Sequence, residues 1–456
     1  MKHLIQNRAR NCDGHAPVTR RHLLFGAATA ASSGLLLSHA DAQVTTSPVR
    51  LRGTARACIF INLNGAPSHL DTFNPQDGPW NPADADLRQH PGGIVLSNRF
   101  FPSLSKITSD MLVLRSVQSW ENAHERGQFY MQTGHTQNPA FAGETPHIGA
   151  VISREKGANG LIPPFMSFNQ SNLQGATFLG GRFQPLMPPA QRAGISTLAH
   201  NFFGNAEQSR TRFDKRFTLL EKLDAPLRQA PVNQGMADYA SFYAQARRMM
   251  YNDAVEQVFQ YGATDEGRYG NTTIGRSLII ARNAVNANNG AVFINCTMTG
   301  WDLHDTMFDP GRGGNFQTLA NQLDRAVGAL VEDLRASGNL DQTLIVMMGE
   351  FGRTPGNLNS RGGRDHFKDA MCAAMIGGGV KGGRALGKTD GTGSRITDTG
   401  WSQDRPIYTE DIATTIYSAL GVDYTQSITD TPSGRRFQYI PGAEEGRYQP
   451  IEEVWG

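Results

Sequence analysis

Acidic and imidazole side chains recur in this chain at one kind of place, just after short apolar runs and among glycines. Asn64-Gly65-Ala66-Pro67-Ser68-His69-Leu70-Asp71-Thr72-Phe73 follows one such run, and Asn122-Ala123-His124-Glu125-Arg126 follows a second. Gly300-Trp301-Asp302-Leu303-His304-Asp305 follows a third. Gly349-Glu350-Phe351-Gly352-Arg353-Thr354-Pro355 follows a fourth, with Gly362-Gly363-Arg364-Asp365-His366-Phe367 shortly beyond. Carboxylate oxygen and imidazole nitrogen together suit Zn²⁺ or Mn²⁺ or, with fewer histidines, Ca²⁺ or Mg²⁺. Arg353 and Arg364 have the planar donors to hold an oxyanion. A single Asp or His after a strand is more often a turn or capping residue; four such placements together favour a site. His69 and Asp305 read as neighbours of it rather than ligands.

The apolar runs that must position these residues are short and β-rich, at 56–63, 111–117, 164–168, 291–297, 343–348 and 371–376. They alternate with helical patterns, which predicts an α/β fold with a mostly parallel central sheet and helices on its faces. In such sheets ligands bind at the carboxyl ends of the strands, where these polar clusters fall. From 315 to 336, Phe316, Leu319, Leu323, Val327, Leu330, Val331 and Leu334 recur at helical spacing, and Gly338 supplies the stop. Thr409-Glu410-Asp411 reads as the cap of a last helix that ends at Gly421. Between 169 and 269 the pattern turns to Pro- and Gly-rich loops and then to polar helices, which reads as an inserted cap. Other signatures fail: Gly377-Gly378-Gly379 lacks the Lys-Ser/Thr ending of a phosphate loop and reads as a glycine turn, His124-Glu125 begins no zincin motif, and there is no G-x-S-x-G elbow.

The N-terminus reads as an address. Arg20-Arg21 precedes an uncharged stretch from 23 to 37, and Ala40-Asp41-Ala42 follows, which is the layout of a twin-arginine signal cleaved after Ala42. The stretch is shorter than the roughly 20 apolar residues that span a bilayer, so no stable transmembrane anchor is expected. This predicts a signal peptide over 1–42, a linker over 43–55, a folded domain over 56–456 and a periplasmic or secreted location, with the twin-arginine translocase as the partner in export. The first 42 residues hold five of the 43 basic and two of the 41 acidic residues, so the remainder is close to neutral and gives no basis for nucleic-acid binding. Cys58, Cys296 and Cys372 lie inside apolar runs and are expected as buried, inert thiols.

The segments NGAPSHLDTF, MQTG, GWDLH, GEFGRTP, GRDHF, GGGVKGG and DIATTIYSALGVD stand in the order and spacing of domain-of-unknown-function family 1501, and from 56 to 423 the chain resembles that family. The family is sulfatase-like and resembles the alkaline phosphatase superfamily, which implies a three-layer α/β/α sandwich and one or two metal ions that position phosphate or sulfate esters. By that resemblance Asp71, Asp302, His304, Glu350 and His366 are metal ligands, while His124 and Arg353 contact the reacting oxyanion. The chain departs from the sulfatase pattern at the nucleophile. In sulfatases a Cys or Ser lies ten residues before the Gly of a later L-T-G, and ten residues before Gly134 stands His124. His124 can then be a ligand, a general acid or a nucleophile. Thr72 and Ser116 are weaker nucleophile candidates, a metal-activated water is a further route, and a phosphomutase-like transferase using Ser116 or Thr72 is a third reading. Ala66 also stands where the family usually has a second Gly, a change expected to matter little. The implied function is an exported metal-dependent hydrolase of small-molecule or glycan esters. The alternative is a non-catalytic exported protein that binds an anionic glycan or a surface partner.

Overall fold

The computed structural model describes residues 49–157, 160–192, 206–250 and 252–456. The expected signal segment and the first part of the expected linker, 1–48, lie outside the described residues.

Seven strands make the central sheet: β1 (Ala57–Leu63), β2 (Met111–Val117), β3 (Phe165–Phe168), β4 (Phe293–Met298), β5 (Thr343–Met348), β6 (Met371–Ile376) and β7 (Arg384–Leu386). Their spatial order is β7-β2-β6-β5-β1-β4-β3. The pairs β3/β4, β4/β1, β1/β5 and β2/β7 are parallel. Strand β6 runs antiparallel to both of its neighbours, β5 and β2. Every residue of β1, β4, β5 and β6 is buried, as strands covered on both faces must be, which is why they read as continuous apolar runs. Side chains alternate between the two faces. Ile59, Ile61 and Leu63 of β1 join one core, and Cys58 and Phe60 join the other.

The first core is closed by α7 (Thr273–Ala287) and α8 (Phe316–Ala336), the second by α2 (Ile148–Lys156) and α9 (Thr409–Ala419), giving three layers, α/β/α. Helix α8 carries the expected apolar stripe and starts at Asn315, whose side chain accepts from the Thr318 N–H. Helix α9 begins at the expected place, with Tyr408 rather than Thr409 as its cap and the Asp411 carboxylate accepting from Tyr408 N. The strands at 111–117, 343–348 and 371–376 have the expected limits, and the other three differ from them by one or two residues. Strand β7, a half-exposed Arg-Ala-Leu at the sheet edge, is too short to show a period and had no expectation.

Within 169–269 the described chain carries α3 (Ala206–Gln229), α4 (Gln234–Met249), α5 (Asp253–Phe259) and α6 (Ala263–Tyr269). Val255, Val258, Phe259 and Tyr269 are buried in the first core, whereas Leu219, Leu223 and Val232 on and after α3 are exposed. Cys58, Cys296 and Cys372 are buried and free, and burial raises each thiol pKa. Gly377, Gly378 and Gly379 after β6 all have positive φ, the turn expected of them.

Candidate metal centre

In register, Asn62 of β1 lies opposite Thr297 of β4 and Met348 of β5, so the chain leaves these three strands at one level of one sheet edge. The loops that carry Asp71, Asp302 and Glu350 therefore start side by side. Strand β6 runs the other way, which brings the residues just before it to that same edge. A two-stranded ribbon, Gly352–Arg353 against His366–Phe367, pairs Arg353 with His366. His124 is the first residue of α1 (His124–Thr133), which follows β2. Gly65 has φ +103°, and a Cβ on it would stand 2.5 Å from the Asp302 backbone nitrogen, so only glycine lets the β1 and β4 loops approach this closely.

Four side chains meet at this edge, His124, Asp302, His304 and His366, with one potential ligand atom from each lying within 4.8 Å of all the others. Asp302 Oδ1 is 3.1 Å from His124 Nε2, 2.9 Å from His304 Nε2 and 3.7 Å from His366 Nε2. Each imidazole is held from behind by its other nitrogen. His124 Nδ1 lies 2.7 Å from Glu350 Oε1, His304 Nδ1 lies 2.8 Å from Asp365 Oδ1, and His366 Nδ1 donates to the Asn122 carbonyl at 2.7 Å. With the Nδ1 protons so directed, neutral rings turn three Nε2 lone pairs inward. Carboxylate and carbonyl partners behind histidine ligands are the usual support of a metal site. The Nε2 of His124 is buried and points into the cluster, where it faces Asp302 Oδ1 at 3.1 Å. A divalent cation fits this donor set.

The electrostatics are those of a site arranged around positive charge. Burial works against ionisation of Asp302, yet hydrogen bonds from His124 and Arg353 outweigh it and hold its pKa well below the usual carboxylate range. Burial likewise opposes a charge on His124, and hydrogen bonds to Asp302 and Glu350 overcome it, pushing its pKa up to about 9. A cation bound at the cluster would compete with that proton. The His366 pKa is lowered, first by burial. The site opens to solvent: the Asp302 side chain is 45% exposed and those of His124, His304 and His366 are 32%, 30% and 26% exposed.

The remaining residues singled out in the sequence lie around this cluster. Glu350 is buried and accepts from Gly65 N, Ala66 N and Gln128 Nε2 besides facing His124. Asp71 is buried against Arg364, whose Nε donates to it at 2.7 Å, and it lies outside the four-residue group. The Arg353 guanidinium is pinned to the Gly65, Ala66 and Arg364 carbonyls, with Nη2 2.5 Å from Asp302 and Nη1 3.3 Å from His304. Thr72 is buried, donates to the Ser68 carbonyl and faces Cys372. Ser116 donates to the Thr399 carbonyl. The His69 ring bonds the Gly393 carbonyl, and Asp305 pairs with Arg312.

The sequence reading missed the supporting partners Asp365, Asn122 and Gln128. Asp365 directly precedes His366 in the GRDHF segment, and Gln128 stands four residues after His124, hence on the same helix face. Those two spacings were the available signals. The Asn122 contact is made by a backbone carbonyl, which residue identity does not reveal.

An α/β/α protein with a candidate divalent-metal centre at one sheet edge is thus defined. Residues 55–445 match the family described as "Protein of unknown function (DUF1501)", and the chain belongs to it. No curated protein matches the sequence. Solved structures similar to the chain include the PsFucS1 sulfatase from Pseudoalteromonas sp., 12% identical, with 81% of this chain and 68% of that chain covered at a TM-score of 0.40. The phosphonate monoester hydrolase SpPMH from Silicibacter pomeroyi is 12% identical, with 81% and 74% covered and a TM-score of 0.37. A protein in the alkaline phosphatase superfamily from Vibrio parahaemolyticus is 11% identical, with 84% and 72% covered and a TM-score of 0.39.

Proposed function

We propose that the protein is an exported, metal-dependent hydrolase of phosphate or sulfate esters carried by glycans or small molecules. The observation that supports this most is the convergence of three inward-facing imidazole nitrogens on the Asp302 carboxylate, each ring supported from behind and the whole open to solvent. Three histidines and one carboxylate favour Zn²⁺ or Mn²⁺ over Ca²⁺ or Mg²⁺. A bound divalent ion would supply Lewis acidity toward an ester oxygen. In this reading Glu350 and Asp365 fix the ring orientations, Asn122 orients His366, and Arg353 contributes the fixed positive charge beside which the ester oxygens lie. Thr72 and Ser116 donate their hydroxyls to backbone carbonyls, which supports water as the attacking group in this reading. Among the described residues no helix is long and apolar enough to cross a membrane. In the same reading the twin-arginine segment 1–42 directs export, and 169–269 shapes access to the site.

The test is elemental analysis of the exported mature protein beside the double variant Asp302→Ala, His304→Ala, followed by an assay on p-nitrophenyl phosphate, sulfate and phenylphosphonate. Near-stoichiometric metal in the wild type that disappears in the variant, with turnover of at least one ester, is expected. A wild type without metal sinks the proposal. Binding without turnover is the second reading, favoured by the Arg353 guanidinium that already occupies one side of Asp302. Stoichiometric metal with no turnover of any ester would select it.

A further inference from the structure

A second cleft, of about 540 Å³, is lined by Trp120, Thr136, Glu410, Gln438, Pro441, Gly442, Glu445, Arg447 and Tyr448. Its size is that of a small-ligand site, and none of its lining residues belongs to the metal cluster. Trp120 is 46% exposed although it is large and apolar. It is held rigidly: one ring face stacks on Tyr408 at 4.4 Å and 3°, and its Nε1 donates to the Tyr448 hydroxyl at 3.3 Å. Behind the aromatic group sits Arg405, whose guanidinium lies over the Trp401, Tyr408 and Tyr448 rings and is paired through both terminal nitrogens with buried Asp411. An indole fixed on one face and bare on the other offers a flat apolar surface to a ring-shaped ligand.

The rest of the lining decides which ring. Glu410, only 4% exposed, accepts from the Tyr130 hydroxyl, and Gln438, Glu445, Arg447 and Thr136 add donors and acceptors of both kinds. Two carboxyl groups against one guanidinium do not favour an anion, and the scarcity of aliphatic side chains does not favour an acyl chain. Hydroxyl groups, which both donate and accept, match such a rim.

The cleft is also tied to the metal centre. Trp120 lies four residues before His124, so the two are at most about 14 Å apart along the chain. The chain from Ser119 to Asn122 is fastened to the segment that bears His366, through Ser119 N to the Lys368 carbonyl and through His366 Nδ1 to the Asn122 carbonyl. That distance is within the span of a short oligosaccharide.

We infer that this cleft is a subsite for an uncharged sugar ring, which stacks on the free face of Trp120 and anchors a glycan whose ester lies at the four-residue cluster. The placement of the ester rests on the function proposed above; the binding of the neutral ring does not. The test uses the mature chain and unsulfated hexasaccharides (agarohexaose, cellohexaose, laminarihexaose, maltohexaose and chitohexaose), with saturation-transfer NMR and calorimetry before and after metal removal. At least one hexasaccharide is expected to bind whether or not metal is present, with saturation transfer from the Trp120 indole protons. Trp120→Ala is expected to weaken that binding at least tenfold and Trp120→Phe only a few-fold. Should Trp120→Ala misfold, Trp120→Phe and the wild-type indole signal decide the matter. Binding by none of the five sugars, or binding unchanged in both Trp120 variants, overturns the inference. Because metal content and ester turnover are read separately, failure of the hydrolase proposal leaves this result interpretable.

Discussion

The Nε2 atoms of His304 and His366 face each other at 3.1 Å. Two neutral imidazoles can share that approach through one proton at most, and here the Nδ1 of each ring is engaged on its far side. The arrangement is satisfied when both lone pairs meet a common cation. The supporting partners should then matter nearly as much as the ligands.

Asp365→Asn leaves every candidate ligand in place but weakens the acceptor behind His304. It should lower metal affinity by about 10- to 100-fold, measured by chelator competition, with little change in folding. Glu350→Gln should do the same and also destabilise the fold, because the Glu350 carboxylate additionally accepts from Gly65 N and Ala66 N in a buried setting. Unchanged affinity in both variants would count against the cluster as a metal centre.

Asp71 tests a ligand role suggested by resemblance. Its carboxylate is paired with Arg364, and both side chains are buried. Breaking a buried pair leaves an unpaired charge, at a cost of roughly 3–5 kcal/mol. Asp71→Asn, which keeps the shape and removes the charge, should therefore lower the melting temperature yet retain the metal. Metal loss without loss of stability would instead put Asp71 in the coordination sphere and imply an approach to the cluster that this geometry does not show.

How far the sequence carried can be judged from these residues. Continuous apolar runs marked β1, β4, β5 and β6 because both faces of each are covered, and the stripe of α8 marked a helix packed on one side. The direction of β6 was not legible, since a buried strand reads the same both ways. Its antiparallel course is what delivers His366 to the site from the strand's leading end. Asp302, His304 and His366 could be picked out as polar residues at strand ends. That Glu350 and Asp71 spend their carboxylates on backbone amides and on an arginine could not, because those contacts join segments 285 and 293 residues apart.

Burial lowers the pKa of three histidines outside the four-residue cluster, His69, His135 and His147, so each opposes folding at acid pH. Burial lowers the pKa of His147 to about 3 and that of His135 to about 4, and His147 Nδ1 must stay unprotonated to accept from Gly149 N at the start of α2. The unfolded chain takes up these protons near pH 6.5 whereas the folded chain refuses them, so their contribution is complete above that pH and is lost as pH falls toward 3–4. Each can add a slope of at most about 1.4 kcal/mol per pH unit. Melting temperature should fall steadily below pH 6.5, and His147→Asn, which keeps a cap acceptor but cannot be protonated there, should flatten part of that fall. A variant with the wild-type slope would remove His147 as a cause.

Ala66 has a φ of +57°, in the left-handed region that favours glycine. A left-handed backbone costs a residue with a Cβ about 1–2 kcal/mol, while glycine adopts it freely. Glycine also gives the unfolded chain more freedom, which returns about 0.4–1 kcal/mol of that gain. The Ala66 N–H, which lies 3.2 Å from Glu350 Oε2, and the Ala66 carbonyl, which accepts from Arg353 Nε, are backbone groups and survive the change. Ala66→Gly should therefore stabilise the protein by roughly 0.5–1 kcal/mol in denaturant unfolding and leave metal content untouched. Destabilisation would mean that the Ala66 methyl group packs usefully in the buried turn behind Glu350, and that the alanine is a compensated choice rather than a tolerated strain.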